Sequence, residues 1–267
     1  MALIPPVYLD CVVAIGADDD EEAKRWIASG FFYGHYLQTA ANGKKEYRIY
    51  LVTNRHVFED LSLAYLRCNP QVNQPAKEYK LELKDMTGAL RWMTHPNKKI
   101  DIAAISINYN LLEEQGMQVN FFRSDEHVAS IGKMNELGIT EGDFAYVLGF
   151  PMGLVGEQRN TVIVRSGTIA RVRDTLAKAN HSFLVDALIF PGNSGGPVVL
   201  KPEILSIEGT KPVGNAYLIG IVYSYLLYKD VAYSLQTKQP RVVFEENSGL
   251  SQVHPVDFIQ ETISAFR

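Results

Sequence analysis

The 267-residue chain holds only two cysteines, Cys11 and Cys68, both in its N-terminal half. That leaves room for one disulfide at most, and two buried free thiols in a reducing cell is the expected state. No Cys/His spacing of a metal site occurs, so neither a metal nor another cofactor is expected. Positive charge is in slight deficit, with 26 Lys and Arg against 30 Asp and Glu and a formal net charge of −4. A balance of that sign argues against a nucleic-acid surface. No run approaches the ~20 apolar residues of a membrane-spanning helix. The opening residues, Met1-Ala2-Leu3-Ile4-Pro5-Pro6, lack the basic start and long apolar core of a secretory signal. A cytoplasmic protein without membrane or nucleic-acid contacts is therefore expected. Internal repeats and low-complexity segments are missing from the sequence as well.

What is present is a hydrophobic content of 46%, enough for two modest cores or one large one. The pattern is β-rich, punctuated by short loops. Strands are predicted over 7–13, 30–37, 47–53, 62–67, 78–83 and 101–107 in the first half. In the second half they are predicted over 144–149, 161–173, 183–187, 197–200, 217–223 and 250–253. The polar, mixed region 108–141 reads as the connection between halves. The acidic run Asp18-Asp19-Asp20-Glu21-Glu22 precedes Ala23-Lys24-Arg25-Trp26-Ile27-Ala28. Acids favour a helix N-terminus, so a helix is expected to begin there. Near the C-terminal end, residues 257–266 place Ile259, Ile263 and Phe266 on one helical face. The histidines His35, His95, His127, His181 and His254 are scattered and read as surface or packing residues.

The most informative stretch is Pro191-Gly192-Asn193-Ser194-Gly195-Gly196-Pro197. A serine hydroxyl is a poor nucleophile unless a base takes its proton and donors receive the charge that develops on the attacked carbonyl. Flanking glycines let backbone N–H groups approach a substrate unobstructed. A base stands at the end of the apolar run Tyr50-Leu51-Val52-Thr53-Asn54-Arg55-His56-Val57, and a carboxylate opens the strand-like Asp101-Ile102-Ala103-Ala104-Ile105-Ser106-Ile107. His56, Asp101 and Ser194 fall in the chain order of the chymotrypsin-type triad. Glu59 and Asp60 are alternative acids, although their closeness along the chain suits a helical turn after His56.

In these segments the sequence resembles the trypsin/chymotrypsin-like serine peptidases, and within them the bacterial Deg/HtrA-type branch. Further matching segments are Val147-Leu148-Gly149-Phe150-Pro151-Met152-Gly153, Ser166-Gly167-Thr168-Ile169 and Leu218-Ile219-Gly220-Ile221-Val222. The resemblance implies an all-β fold of two antiparallel β-barrels of chymotrypsin type with a C-terminal helix and no PDZ-like extension. Residues 1–118 would form the barrel carrying His56 and Asp101, and 119–267 the barrel carrying Ser194 and the specificity pocket. Where secreted trypsins have cysteines beside the histidine and the serine, this chain has Val57 and Phe190. The implied activity is a serine endopeptidase acting on a protein or peptide through an acyl-enzyme on Ser194. Gly192 and Ser194 N–H groups would form the oxyanion hole. Asn193 replaces the aspartate that pairs with a new N-terminus in digestive trypsins, so control by loop ordering, an activating partner or a fused regulatory domain is expected instead. Leu188 occupies the place of trypsin's specificity aspartate, and Tyr223 and Tyr225 line the pocket wall, so cleavage after small-to-medium aliphatic residues is expected. The longer segment between Tyr225 and Gly249 is a candidate gate or an ordinary surface hairpin.

Two other functions fit parts of the pattern. Gly192-Asn193-Ser194-Gly195-Gly196 also satisfies G-x-S-x-G, and an α/β-hydrolase could draw Asp230 and His254 as partners. That fold needs a strand-to-helix elbow, whereas Pro197-Val198-Val199-Leu200 reads as a strand. A catalytically silent or partner-activated peptide-binding module on a peptidase scaffold is the other.

Overall fold

The computed structural model describes residues 3–18, 24–205, 207 and 209–265. The first half runs α1 (Pro6–Leu9), β1 (Val12–Asp18), β2 (Lys24–Thr39), β3 (Lys45–Thr53), α2 (Arg55–Phe58), β4 (Leu63–Cys68), β5 (Lys77–Glu82), β6 (Met93–Thr94) and β7 (Ala103–Ser106). α3 (Tyr109–Glu114), β8 (Phe122–Arg123) and α4 (Ile131–Leu137) lead into the second half. There follow β9 (Phe144–Gly149), β10 (Ile163–Arg171), α5 (Arg173–Leu176), β11 (Phe183–Asp186), β12 (Pro197–Leu200), β13 (Leu218–Tyr233), β14 (Pro240–Pro255) and α6 (Asp257–Ser264).

The first sheet has the order β5-β4-β1-β2-β3-β7-β6, with β8 pairing parallel to β2. It curls until the chain between its edge strands bridges them, through a Lys84–Leu90 pair and an Arg91 N–H bond to the Leu83 carbonyl. The second sheet closes as β10-β11-β14-β13-β12-β9. The fold is thus chymotrypsin-like and mostly β.

Alternation along the strands divides the core into three. Ile49 and Leu51 of β3 and Ala103 and Ile105 of β7 face the interior of the first sheet. Their neighbours Tyr50, Val52, Ile102 and Ala104 face a shared core that also holds Leu148, Phe150 and Ile221. Val147, Val198 and Ile219 fill the second barrel. A strand between two cores is apolar on both faces, which explains the unbroken Tyr50-Leu51-Val52 run. Two arginines, buried Arg67 and half-buried Arg159, clasp the halves: Arg67 donates to the Gly156 carbonyl at 2.9 Å, and Arg159 returns to the Pro70 carbonyl at 2.8 Å.

Several elements differ from expectation. The segment 7–13 is a helical turn before it is a strand, because Pro6 sits at the first helical turn and Tyr8 turns inward to donate to the Ala216 carbonyl at 3.0 Å. No helix begins at Lys24: residues 24–28 extend β2, pairing Ile15 with Ala28 and Gly16 with Trp26. The ladder with β1 outweighs the local preference for a helix that the acids suggested, while the rest of that acidic run lies outside the described residues. The 108–141 connection is more ordered than expected. Its helices are capped by Asn108 and Ser130, whose side chains accept from the N–H groups of Leu111 and Lys133. β13 and β14 run well beyond the predicted 217–223 and 250–253, pairing from Leu227–Asn247 out to Tyr233–Pro240 as a two-stranded ribbon. In α6, Ile259 and Ile263 are buried as predicted, and Phe266 lies outside the described residues. Cys11 and Cys68 are free, buried thiols.

Candidate active site

The end of β3 is fixed between two cores, and Asn54 turns the chain into α2. Val57 and Phe58 anchor that short helix in the first core, which leaves the His56 side chain facing outward and 46% exposed. Asp101 sits between buried Ile100 and Ile102, just ahead of β7. Its main chain is held on both sides: the carbonyl accepts from Asn54 Nδ2 at 2.8 Å, and the N–H donates to His254 Nε2 at 3.1 Å.

The structure brings His56 and Asp101 together twice. His56 Nδ1 lies 2.5 Å from Asp101 Oδ2, and the His56 backbone N–H donates to Oδ1 at 3.0 Å. Burial pushes the Asp101 carboxyl up, but these bonds, the His56 charge and nearby Arg55 outweigh it and hold the group below its ordinary value. Glu59 instead faces Arg55 at 3.8 Å, and Asp60 is exposed. Among the described residues the His56 ring is hydrogen-bonded to Asp101 alone.

Ser194 lies in the turn between β11 and β12, so it is not on a strand-to-helix elbow and the α/β-hydrolase reading falls with the fold. The turn is packed against the first half. Gly192 has φ +97°, and a Cβ there would stand 2.4 Å from the Phe150 carbonyl oxygen. A Cβ at Gly195 would meet the Ser29 carbonyl and Thr53 Oγ1 at 2.2 Å. Only glycine allows both approaches, and the second brings Ser194 to the end of the strand that leads to His56. Asn193 is buried and turns back on its own loop, its Oδ1 accepting from the Phe190 N–H at 3.1 Å.

Of the expected pocket residues, Leu188 is exposed, flanked by buried Ala187 and Ile189. The ribbon strand β14 supports this segment: Asn247 Nδ2 donates to the Ile189 carbonyl and Ser251 Oγ to that of Ala187, each at 2.6 Å. Tyr225 packs half-buried against the second core. The Tyr223 ring stacks on His254, centroids 3.9 Å apart and nearly parallel. Asp230 lies out on the ribbon, its carboxylate accepting from the Val231 N–H.

Sequence reasoning missed two residues. His254, read as a packing histidine, is buried but also orients the acid. Since its Nε2 accepts from Asp101, its proton is on Nδ1, which donates to the His181 carbonyl at 2.9 Å. Ser29 is the second; its one signal was a small polar residue within the apolar run Ile27-Ala28-Ser29-Gly30-Phe31. Among the described residues no group of His, Cys, Asp and Glu is placed to hold a metal ion, and no helix is long and apolar enough to cross a membrane.

The family model of the trypsin-like peptidase domain matches residues 28–202, a span that contains His56, Asp101 and Ser194. The MamO protease domain from Magnetospirillum magneticum, in its apo form, is similar in fold, with a TM-score of 0.51 and 15% identity over 98% of each chain. The inactive form of the Rv3671c protease gives a TM-score of 0.47 and 12% identity, covering 97% of this chain and 90% of that one. No curated protein matches the sequence.

Proposed function

The chain belongs to the trypsin-like peptidase domain family, and from that premise we propose that it is a serine endopeptidase with His56, Asp101 and Ser194 as its catalytic triad. The observation that carries the reading is the 2.5 Å contact between His56 Nδ1 and Asp101 Oδ2 beside the serine turn. With Nδ1–H directed at the carboxylate, the lone pair of Nε2 is free to act as base. Ser194 Oγ attacks the peptide carbonyl as Nε2 takes its proton. The oxyanion that forms is received by the N–H groups of Gly192 and Ser194. His56 then protonates the departing amine, which leaves the acyl group on Ser194 for hydrolysis by water. Asp101 keeps the ring in one tautomer and stabilises the imidazolium.

The apolar run Ala187-Leu188-Ile189 offers no carboxylate to a buried cation, so the preferred bond follows a small or medium aliphatic residue rather than Lys or Arg. Asn193 has no charge for a new N-terminus, which favours control by ordering of the serine turn and the ribbon, or by an activating partner. A partner-activated or silent peptide-binding module is the second reading, favoured by a His56 ring that among the described residues is bonded to Asp101 alone.

Labelling with a fluorophosphonate probe separates the two. The folded chain is expected to label once, at Ser194, and Ser194→Ala to abolish the label. A folded chain that stays unlabelled over hours overturns the endopeptidase reading.

A further inference from the structure

Ser29 lies on β2 of the first sheet and is fully buried, yet its N–H and its hydroxyl both donate to the serine turn of the second half. Its N–H donates to the Ser194 carbonyl at 2.9 Å. Its hydroxyl donates to the Gly192 carbonyl at 2.7 Å and accepts from the Phe150 N–H at 2.9 Å. Its own carbonyl is held by Thr53 Oγ1 at 2.8 Å.

These bonds complete a set. Along the turn the Pro191 carbonyl accepts from the Met152 N–H at 2.6 Å and the Asn193 carbonyl from the Gly196 N–H at 2.8 Å. Four successive carbonyls, those of residues 191–194, therefore each have a donor. In a trans peptide the C=O and N–H point in opposite directions. Holding the Pro191 and Asn193 carbonyls thus turns the N–H groups of Gly192 and Ser194 the other way. The weak joint is Gly192: at φ +97° and without a side chain, it can rotate its peptide planes at little steric cost. It is kept in place by the bonds to the Pro191 and Gly192 carbonyls and by the Asn193 N–H, which donates to the Phe190 carbonyl at 3.0 Å. The Ser29 hydroxyl supplies the one on Gly192 itself. It also ties down Phe150, two residues before the Met152 N–H that holds Pro191.

Resting on the proposed serine chemistry, we infer that Ser29 is a positioning residue that aims the Gly192 N–H at the developing oxyanion, so that a hydroxyl from the first half sets the oxyanion hole of the second. Without it, the buried Gly192 carbonyl loses its donor and its peptide is left with the Asn193 N–H bond to Phe190, which loosens the pivot at Gly192 and with it the adjoining peptide. Ser29 touches neither substrate nor reacting atoms, so its loss acts on the transition state and leaves ground-state binding intact.

The test compares wild type with Ser29→Ala on a small-aliphatic peptide ester, with active sites counted by fluorophosphonate titration. Turnover per titrated site is expected to fall about 10- to 100-fold with KM within about threefold, less than the loss of a whole oxyanion donor. Affinity for a peptide boronic acid, whose adduct on Ser194 places an oxygen at these N–H groups, falls by a similar factor. A merely structural role would lower the number of titratable sites or the melting temperature and leave turnover per site unchanged; that result overturns the inference. Thr53→Val, which removes only the hydroxyl on the Ser29 carbonyl, is expected to lower turnover per site about 3- to 10-fold, and covers a Ser29→Ala chain that does not fold. A folded wild type that neither labels nor turns over overturns the serine chemistry, and the inference with it.

Discussion

At the residue scale, the site depends on groups whose own bonds are already spent. Ser194→Ala removes the nucleophile without disturbing the turn, because Ser194 is held there through its backbone carbonyl, so turnover is expected to drop by roughly a million-fold with stability unchanged. Single-turnover assays together with thermal melts check both halves of that statement. His254 carries a pH signature. Burial pushes its imidazole down to about 4 from an ordinary 6.5, against the His181 carbonyl, which favours the charged form. Between those two values the unfolded chain binds the proton and the folded one does not. The stabilisation is therefore complete above pH 6.5 and drains as pH falls toward 4, on the order of 3 kcal/mol in all. Urea unfolding at pH 7 and pH 4.5 should show that slope, and His254→Gln should flatten it. An unchanged slope in the variant would place the acid sensitivity elsewhere.

At the element scale, the ribbon formed by β13 and β14 stands apart. An isolated two-stranded ribbon is marginal in water, and this one leaves Tyr228, Tyr233, Val243 and Phe244 largely exposed. Its outer part gains a Lys229–Glu245 ion pair at 2.5 Å, an exposed contact of small worth. Its base, by contrast, is stitched to residues 187–189 through Asn247 and Ser251. The ribbon thus contributes little to the barrel and much to the segment that carries Leu188. Replacing 228–246 by a two-residue turn is expected to shift the melting temperature by only a few degrees. Peptide turnover should fall at least about tenfold, as for a segment that orders a site from its edge. Cleavage profiles of a peptide library should still favour aliphatic residues over Lys and Arg in the intact chain. Equal turnover with and without the ribbon would reduce it to an ornament of the surface.

At the scale of the whole molecule, the two halves are joined by a core of their own. Tyr8 of the N-terminal helix, Phe150 of the second half and Ile263 of α6 belong to the same buried set as Val52 and Ala104. α6 reaches back to the first sheet, where Gln260 donates to the Tyr33 hydroxyl at 3.2 Å and Glu261 meets His95 at 3.0 Å. Because the site straddles this seam, docking and site formation are one event. Ile263→Ala should cost about 2–5 kcal/mol and leave unfolding a single transition by both fluorescence and circular dichroism. Two separated transitions would mean that the halves hold themselves together independently.

The sequence by itself determined the β architecture and singled out His56, Asp101 and Ser194 as the candidate residues. Those depend on short-range signals: alternation, the glycines around Ser194, and His56 and Asp101 at the ends of apolar runs. Where the fate of a segment depends on partners distant along the chain, the sequence fell short. Lys24 to Ala28 is strand because β1 pairs with it, and Tyr8 is in a helical turn because Ala216 and the shared core receive it. The ribbon's length follows from pairing between β13 and β14 that no local pattern announces. Ser29 and His254 take their roles from atoms more than a hundred residues away, and a hydroxyl or imidazole in an apolar run does not say which carbonyl or N–H it will meet. Only the tertiary structure decided that, because hydrogen bonds between buried groups are chosen by which segments the packing of three cores brings within about 3 Å.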